Sequence, residues 1–176
     1  LTQSSTCQIG KLNGQYYHVP FKNILPMVEP NDLQIDGWDI SSLSLEKCVQ
    51  RARVLDLDLQ QQLVPYLKDL RPRPSIFDPG FVAANQKERA DNIIEGEKQN
   101  QMEQIRADIR DFKEKSGVEK VVVMWTANTE RYCKVEVGIH DTEKNLRAAI
   151  RAGNPEISPS TLYALACLDE DVPFIN

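Results

Sequence analysis

The chain has 176 residues, 41% hydrophobic and 27% charged, with a formal net charge of -5 at pH 7. That balance fits one globular core and argues against a nucleic-acid partner, which demands a basic face; no apolar run is long enough to cross a bilayer as a helix. Cys7, Cys48, Cys133 and Cys167 form no CxxC pair and only two histidines accompany them, so no metal site is expected and reduced thiols are the simplest reading.

Residues 1–32 are rich in Ser, Gln, Asn, Gly and Pro, and Pro20, Pro26 and Pro30 forbid a long helix, so an ordered but irregular segment is predicted. Residues 33–40 begin by alternating, which predicts a short strand running into a turn at Gly37 and the acid Asp39. Asp39 there has two readings: a cap ahead of Ser41 and Ser42, or, just past a strand of a nucleotide-binding sheet, an acceptor for ribose hydroxyls. Ser44 predicts an N-cap for a helix carrying Leu45, Cys48, Val49 and Ala52. Residues 54–59 alternate like a strand, and a further helix carrying Leu59, Leu63, Tyr66, Leu67 and Leu70 follows, with Pro65 inside it.

Arg71-Pro72-Arg73-Pro74 is a break that favours extended backbone. Residues 75–82 read as a short extended stretch with a turn at Asp78-Pro79-Gly80, and residues 83–92 as a polar loop. In that loop Arg89 could grip a phosphate or carboxylate, or be solvated surface. Residues 96–115 predict an amphipathic helix with Met102, Ile105, Ile109 and Phe112 on one stripe and a solvated charged face opposite, ended by Gly117.

Residues 121–125, an uninterrupted apolar run, predict a strand covered on both faces, as in a parallel sheet wrapped by helices. The polar residues just after it, Thr126, Asn128 and Thr129, then fall at the carboxyl edge of the sheet, where open α/β sheets bind ligands; the other reading is that they only cap or turn the chain. Residues 132–138 alternate weakly, as a loop or edge strand. Asp141 is the expected cap of a helix carrying Leu146, Ala149 and Ile150, Ser158-Pro159 starts a buried helix, and residues 172–175 are the next parallel strand. The helix–strand alternation predicts an α/β fold, part of a doubly wound, mostly parallel sheet of Rossmann type with helices on both faces.

No nucleophile elbow, HExxH, phosphate-gripping lysine loop or Ser/His/Asp grouping occurs, and the glycines never form the close-spaced loop a dinucleotide pyrophosphate needs. The chain starts at Leu1 without a methionine and stops at Asn176 just after an apolar run, which reads as a fragment of a longer polypeptide.

Taken together, Gly37-Trp38-Asp39-Ile40, Phe81-Val82-Ala83-Ala84-Asn85-Gln86, Val123-Met124-Trp125-Thr126-Ala127-Asn128-Thr129-Glu130-Arg131-Tyr132, Ser158-Pro159-Ser160-Thr161-Leu162 and Pro173-Phe174-Ile175-Asn176 resemble the eukaryotic myo-inositol-1-phosphate synthase family, over essentially the whole chain and in the right order. The resemblance implies an NAD-dependent isomerase that converts D-glucose 6-phosphate to 1L-myo-inositol 1-phosphate by internal oxidation, aldol cyclisation and reduction, in the cytoplasm, as a step of inositol and phospholipid biosynthesis. Residues 1–176 would then be a partial NAD-binding domain. The first strand and glycine-rich loop would lie upstream; the catalytic lysines and the domain that builds a homotetramer would lie downstream.

The positions carried over by the resemblance are therefore cofactor positions. Asp39 matches the ribose-binding acid, which displaces the cap reading. Ser75 and Ile76 match the lining of the adenosine end, Gln86 and Arg89 match polar contacts from the following loop, and Thr126, Ala127, Asn128 and Thr129 match the loop that runs along the dinucleotide. No catalytic residue falls in this chain, so no activity is expected of it alone. Cys133, Lys134 and Leu168-Asp169-Glu170-Asp171 depart from the family pattern without touching these positions. The alternatives are a catalytically silent interaction or regulatory piece of the same enzyme and an ordinary NAD dehydrogenase, the latter disfavoured by the matching phrases.

Overall fold

The chain divides into two compact units, Leu1–Ile35 and Asp36–Asn176. This computed structural model describes residues 5–176, so the part of the irregular segment expected over residues 1–4 lies outside them.

In the first unit, strands β1 (Thr6–Leu12) and β2 (Gln15–Pro20) pair antiparallel. Asn13 and Gly14 turn the chain between them with φ of 50° and 84°, the left-handed pair of a two-residue hairpin turn whose twist matches the strands. Residues 6–20 are thus a hairpin, signalled by Asn13-Gly14, whereas residues 21–32 are irregular as expected. The prolines do exclude a long helix: only 3-10 turns, Phe21–Asn23 and Pro30–Asp32, follow.

In the second unit the short strand β3 (Trp38–Asp39) lies on the far side of Gly37 from the alternating residues that predict it. Leu33 and Ile35 are exposed, so their alternation buries nothing. Asp36 instead accepts the Gly37 N–H at 2.8 Å and the Arg73 Nε–H at 2.6 Å. Strand β4 (Arg73–Pro74) runs parallel to β3, Trp38 opposite Arg73 and Asp39 opposite Pro74; Pro74 and the preceding Pro72 are tolerated because extended backbone suits them.

Between these strands, helix α1 (Leu45–Ala52) begins at Ser44, whose hydroxyl accepts the Lys47 N–H, and helix α2 (Leu57–Leu67) follows. The strand-like alternation over residues 54–59 is overridden: Arg53 takes a left-handed C-cap, φ 52°, and Asp56 opens α2. Pro65 sits in the last turn of α2 and leaves the Gln61 carbonyl without the N–H that an ordinary residue there would donate.

Helix α3 (Lys98–Ser116) ends at Gly117, φ 66°, the left-handed C-cap that glycine adopts without strain. It buries Met102, Ile105 and Ile109 as expected, but part of its charged face is not solvated. Asp108 is buried and accepts hydrogen bonds from Trp38 Nε1 at 2.8 Å and Gln104 Nε2 at 2.9 Å. Arg106 and Arg110 reach Glu170 at 2.8 and 2.6 Å.

Strand β5 (Val123–Met124) pairs parallel with β6 (Phe174–Ile175), the latter where a parallel strand is expected. Val123 is buried, whereas Val122 and Met124 are 56% and 63% exposed. The expectation of cover on both faces therefore fails among the described residues, because one face meets the core and the other packs on no layer. Helix α4 (Glu143–Arg151) is capped by Thr142, whose Oγ1 accepts the Asn145 N–H, and not by Asp141, which holds the Asn145 side chain instead. Helix α5 (Pro159–Asp169) starts as expected: Ser158 Oγ accepts the Thr161 N–H with Pro159 in the first turn.

The core of this unit gathers α3, α4 and α5 around Met102, Ile105, Ile150, Ile157, Leu162 and Ala166. Each fully buried isoleucine or leucine contributes roughly 1.5–3 kcal/mol of transfer free energy. Helix α5 carries no basic residue in its last turn, so Asp169 and Glu170 would face the negative end of their own helix. Arg147 offsets this with a fork onto Asp169 at 3.0 and 2.5 Å, and Arg106 with its bond to Glu170; the Arg147 bond holds the Asp169 carboxyl below its ordinary range.

Candidate functional site

The carboxyl ends of β3, β4 and β5 carry Asp39, Ser75 and Ile76, and residues 126–129. Asp39 closes β3, and its Oδ1 accepts the Ser41 N–H at 2.8 Å. The cap reading of Asp39 is thus realised by one oxygen, while Oδ2 has no hydrogen-bond partner among the described residues and stays available to hydroxyl donors. Asn92 pins this end: its Nδ2 donates to the carbonyls of Asp39, Pro72 and Arg73 at 3.0, 3.3 and 3.1 Å. The Asn92 N–H also reaches Ile40 O, and Ser75 N–H reaches Asn92 O.

Ser75 and Ile76 follow β4 at the same edge. The Ser75 hydroxyl meets the Tyr163 hydroxyl at 3.0 Å, and the Ile76 N–H donates to Tyr163 Oη at 3.3 Å. Ile76 is buried against the core, so both residues shape the edge from beneath. Burial pushes the Tyr163 phenol up to about 12. Its ring makes edge contacts with Trp38 and Trp125, each at 5.4 Å between centroids, which holds the β3–β4 and β5–β6 ladders in one arrangement.

Gln86 and Arg89 lie on the 3-10 helix Ala84–Arg89, and Arg89 Nη1 donates to Gln86 Oε1 at 3.1 Å. Arg89 Nε is buried and has no hydrogen-bond partner among the described residues. A buried orphan donor on a cation is costly to leave unmet and is the feature an acceptor-rich ligand would complete.

Thr126, Ala127, Asn128 and Thr129 leave β5 as an exposed stretch and make no hydrogen bond among the described residues. The stretch is fixed only at its ends. Before it, Trp125 N–H donates to Ile175 O at 2.7 Å; after it, the Glu130 carboxylate accepts Ser160 N–H and Oγ–H at the start of α5. Arg131 donates from N and Nε to Phe81 O and Gly80 O, both at 2.8 Å, and forks onto Glu156 at 3.1 and 2.8 Å. Its guanidinium lies 4.1 Å above the Phe81 ring.

The structure thus brings Asp39, Ser75 and Ile76 to one edge, joins Gln86 to Arg89, and sets the 126–129 stretch beside the turn before the Gln86 helix through Arg131. Tyr163, Glu130 and Arg131 were given no individual role from sequence, and Asn92 stood only among the possible ligand-facing amides of the 83–92 loop. The available signals were one tyrosine within the apolar run of α5 and the charged pair ending the 126–131 phrase. Among the described residues no group of three or more His, Cys, Asp or Glu could hold a metal ion, and no helix is long and apolar enough to cross a membrane.

These features fit a dinucleotide: a carboxylate oxygen for hydroxyls, an unpaired buried cationic donor, and a run of free backbone amides and hydroxyls at a sheet edge. Comparison with known proteins agrees. A family model of NAD-binding domains, described as Myo-inositol-1-phosphate synthase, matches residues 1–176. The chain is 56% identical to "Inositol-3-phosphate synthase 1" of Oryza sativa subsp. japonica and 55% identical to "Inositol-3-phosphate synthase 1" of Populus euphratica. In both cases the match takes in 100% of this chain, and 35% and 34% of the relative. The crystal structure of inositol-3-phosphate synthase from Caenorhabditis elegans superposes with a TM-score of 0.93 at 43% identity, over 98% of this chain and 34% of that one. The chain therefore spans about a third of the length of these relatives. Its short parallel strands and helices are those of a Rossmann-like NAD-binding fold, and the chain belongs to the myo-inositol-1-phosphate synthase family.

Proposed function

We propose that these residues form the adenosine side and the central loop of the NAD site of an inositol-3-phosphate synthase, an isomerase acting on D-glucose 6-phosphate. The observation that carries this is the exposed 126–129 stretch, whose amides and hydroxyls have no hydrogen-bond partner among the described residues, as the buried Nε of Arg89 has none. When bound, NAD supplies a reversible hydride acceptor, which lets an oxidation and a later reduction cancel.

The chain's own residues hold and orient that group. Asp39 Oδ2 accepts from ribose hydroxyls, and Asn92 keeps the Asp39 backbone in register with β4. Ile76 and Ser75 form a wall whose position Tyr163 sets. Arg89 offers charge and a donor to an acceptor atom of the dinucleotide, with Gln86 steadying its guanidinium. Thr126, Asn128 and Thr129 offer donors and acceptors along its length. The steps on the sugar phosphate fall to residues outside this chain, in a cytoplasmic homotetramer that serves inositol and phospholipid synthesis.

The test is to incubate the complete gene product with D-glucose 6-phosphate and catalytic NAD+. Inositol phosphate should appear with no net NADH. Stoichiometric NADH accumulation would favour an ordinary dehydrogenase, and no turnover with intact NAD+ binding would favour the silent regulatory piece.

A further inference from the structure

We infer that Arg131 is a positioning residue for the cofactor, joining the two loops that line the site, and that Glu130 does the same for one of them. This rests on the NAD site proposed above. The 126–129 stretch has no internal bonds to give it a shape, so a ligand would have to order it unless its ends are fixed beforehand.

Both ends are fixed. The sheet holds Trp125, and Glu130 holds the other end against the N-terminus of α5, where a carboxylate is favoured by the helix dipole and satisfies an otherwise free amide. Arg131 goes further. Its backbone N–H and its Nε grip the carbonyls of Phe81 and Gly80, and its guanidinium covers the Phe81 ring, itself 2% exposed. Phe81 ends the turn at Asp78, whose carboxylate accepts the Gly80 N–H, and that turn leads into the 3-10 helix bearing Gln86 and Arg89. One side chain therefore couples the Thr126–Asn128–Thr129 loop to the Arg89 helix.

A lone exposed ion pair would carry little weight. Arg131 combines a bidentate carboxylate fork with two carbonyl grips and a ring contact, a geometry that lysine cannot reproduce. Glu156, its partner, also accepts the Lys134 N–H, so the same fork braces the chain on the far side of the loop.

The test measures the NAD+ dissociation constant by calorimetry in the complete gene product, together with the thermal midpoint without ligand, for Arg131→Met, Arg131→Lys, Glu130→Gln and, as a reference, Arg89→Met. Arg131→Met should weaken NAD+ binding about tenfold, Arg131→Lys nearly as much, and Glu130→Gln about threefold. A merely structural Arg131 would lower the midpoint and leave the dissociation constant of the folded protein unmoved, which overturns the inference. If Arg89→Met weakens binding and the Arg131 variants do not, positioning falls and the NAD site stands. If none of them weakens binding, the site falls as well. Should Arg131→Met fail to fold, Arg131→Lys carries the same comparison.

Discussion

The hydroxyls of Tyr163 and Ser75 meet at 3.0 Å beneath the sheet edge, where the ring of Tyr163 also touches Trp38 and Trp125. One phenol on α5 thereby connects the strand that carries Asp39, the strand end that carries Ser75 and the strand that feeds the 126–129 loop. The site is arranged from below by a residue that need not touch a ligand.

Removing that hydroxyl should loosen the edge. Tyr163→Phe keeps the ring contacts but strands the buried Ile76 N–H, at an expected loss of about 1–3 kcal/mol in denaturant unfolding. The alkaline limb gives an independent check. Burial raises the phenol from the ordinary 10 to about 12, so its contribution is complete below pH 10 and is lost as pH climbs from 10 toward about 12. The phenylalanine variant should lack that part of the alkaline decline; an unchanged profile would contradict the role given to Tyr163.

Acid should act at Arg131. The bond from its guanidinium, helped by the Lys134 N–H, holds the Glu156 carboxyl down to about 2 from the ordinary 4.5. A depressed carboxyl stabilises the fold above the unfolded value, and that stabilisation disappears as pH falls from 4.5 toward 2. Unfolding midpoints of wild type and Glu156→Gln should therefore differ at neutral pH and converge through that window. A gap that persists at the acid end would mean that Glu156 acts by shape and not by charge.

Much of the chain was legible because its signals are local. Ser44 and Ser158 as caps, Gly117 as a stop and the apolar stripe of α3 need only neighbours a turn away, and each stands as read. Asn13-Gly14 was equally local but was masked by the prolines around it. The alternations at residues 33–36 and 54–59 misled because a period of two marks a strand only when one face is buried, and Leu33, Ile35, Val54 and Leu57 all face solvent. The candidate site was read through the resemblance of its phrases more than through chemistry: Asp39 reads as a cap, and it is one, with a second oxygen to spare. The roles of Tyr163, Asn92 and Arg131 were invisible because the partners of these residues lie far away in sequence, and nothing in Tyr163 itself points to Ser75.

The most direct measurement is a calorimetric titration of NAD+ into the complete gene product, repeated with Arg89→Met and Asn128→Ala. Saturable binding in the wild type, weakened about tenfold or more in each variant, is the expected result. Binding that is absent in the wild type, or equally tight in all three proteins, would contradict the assignment of the cofactor site to this edge of the sheet.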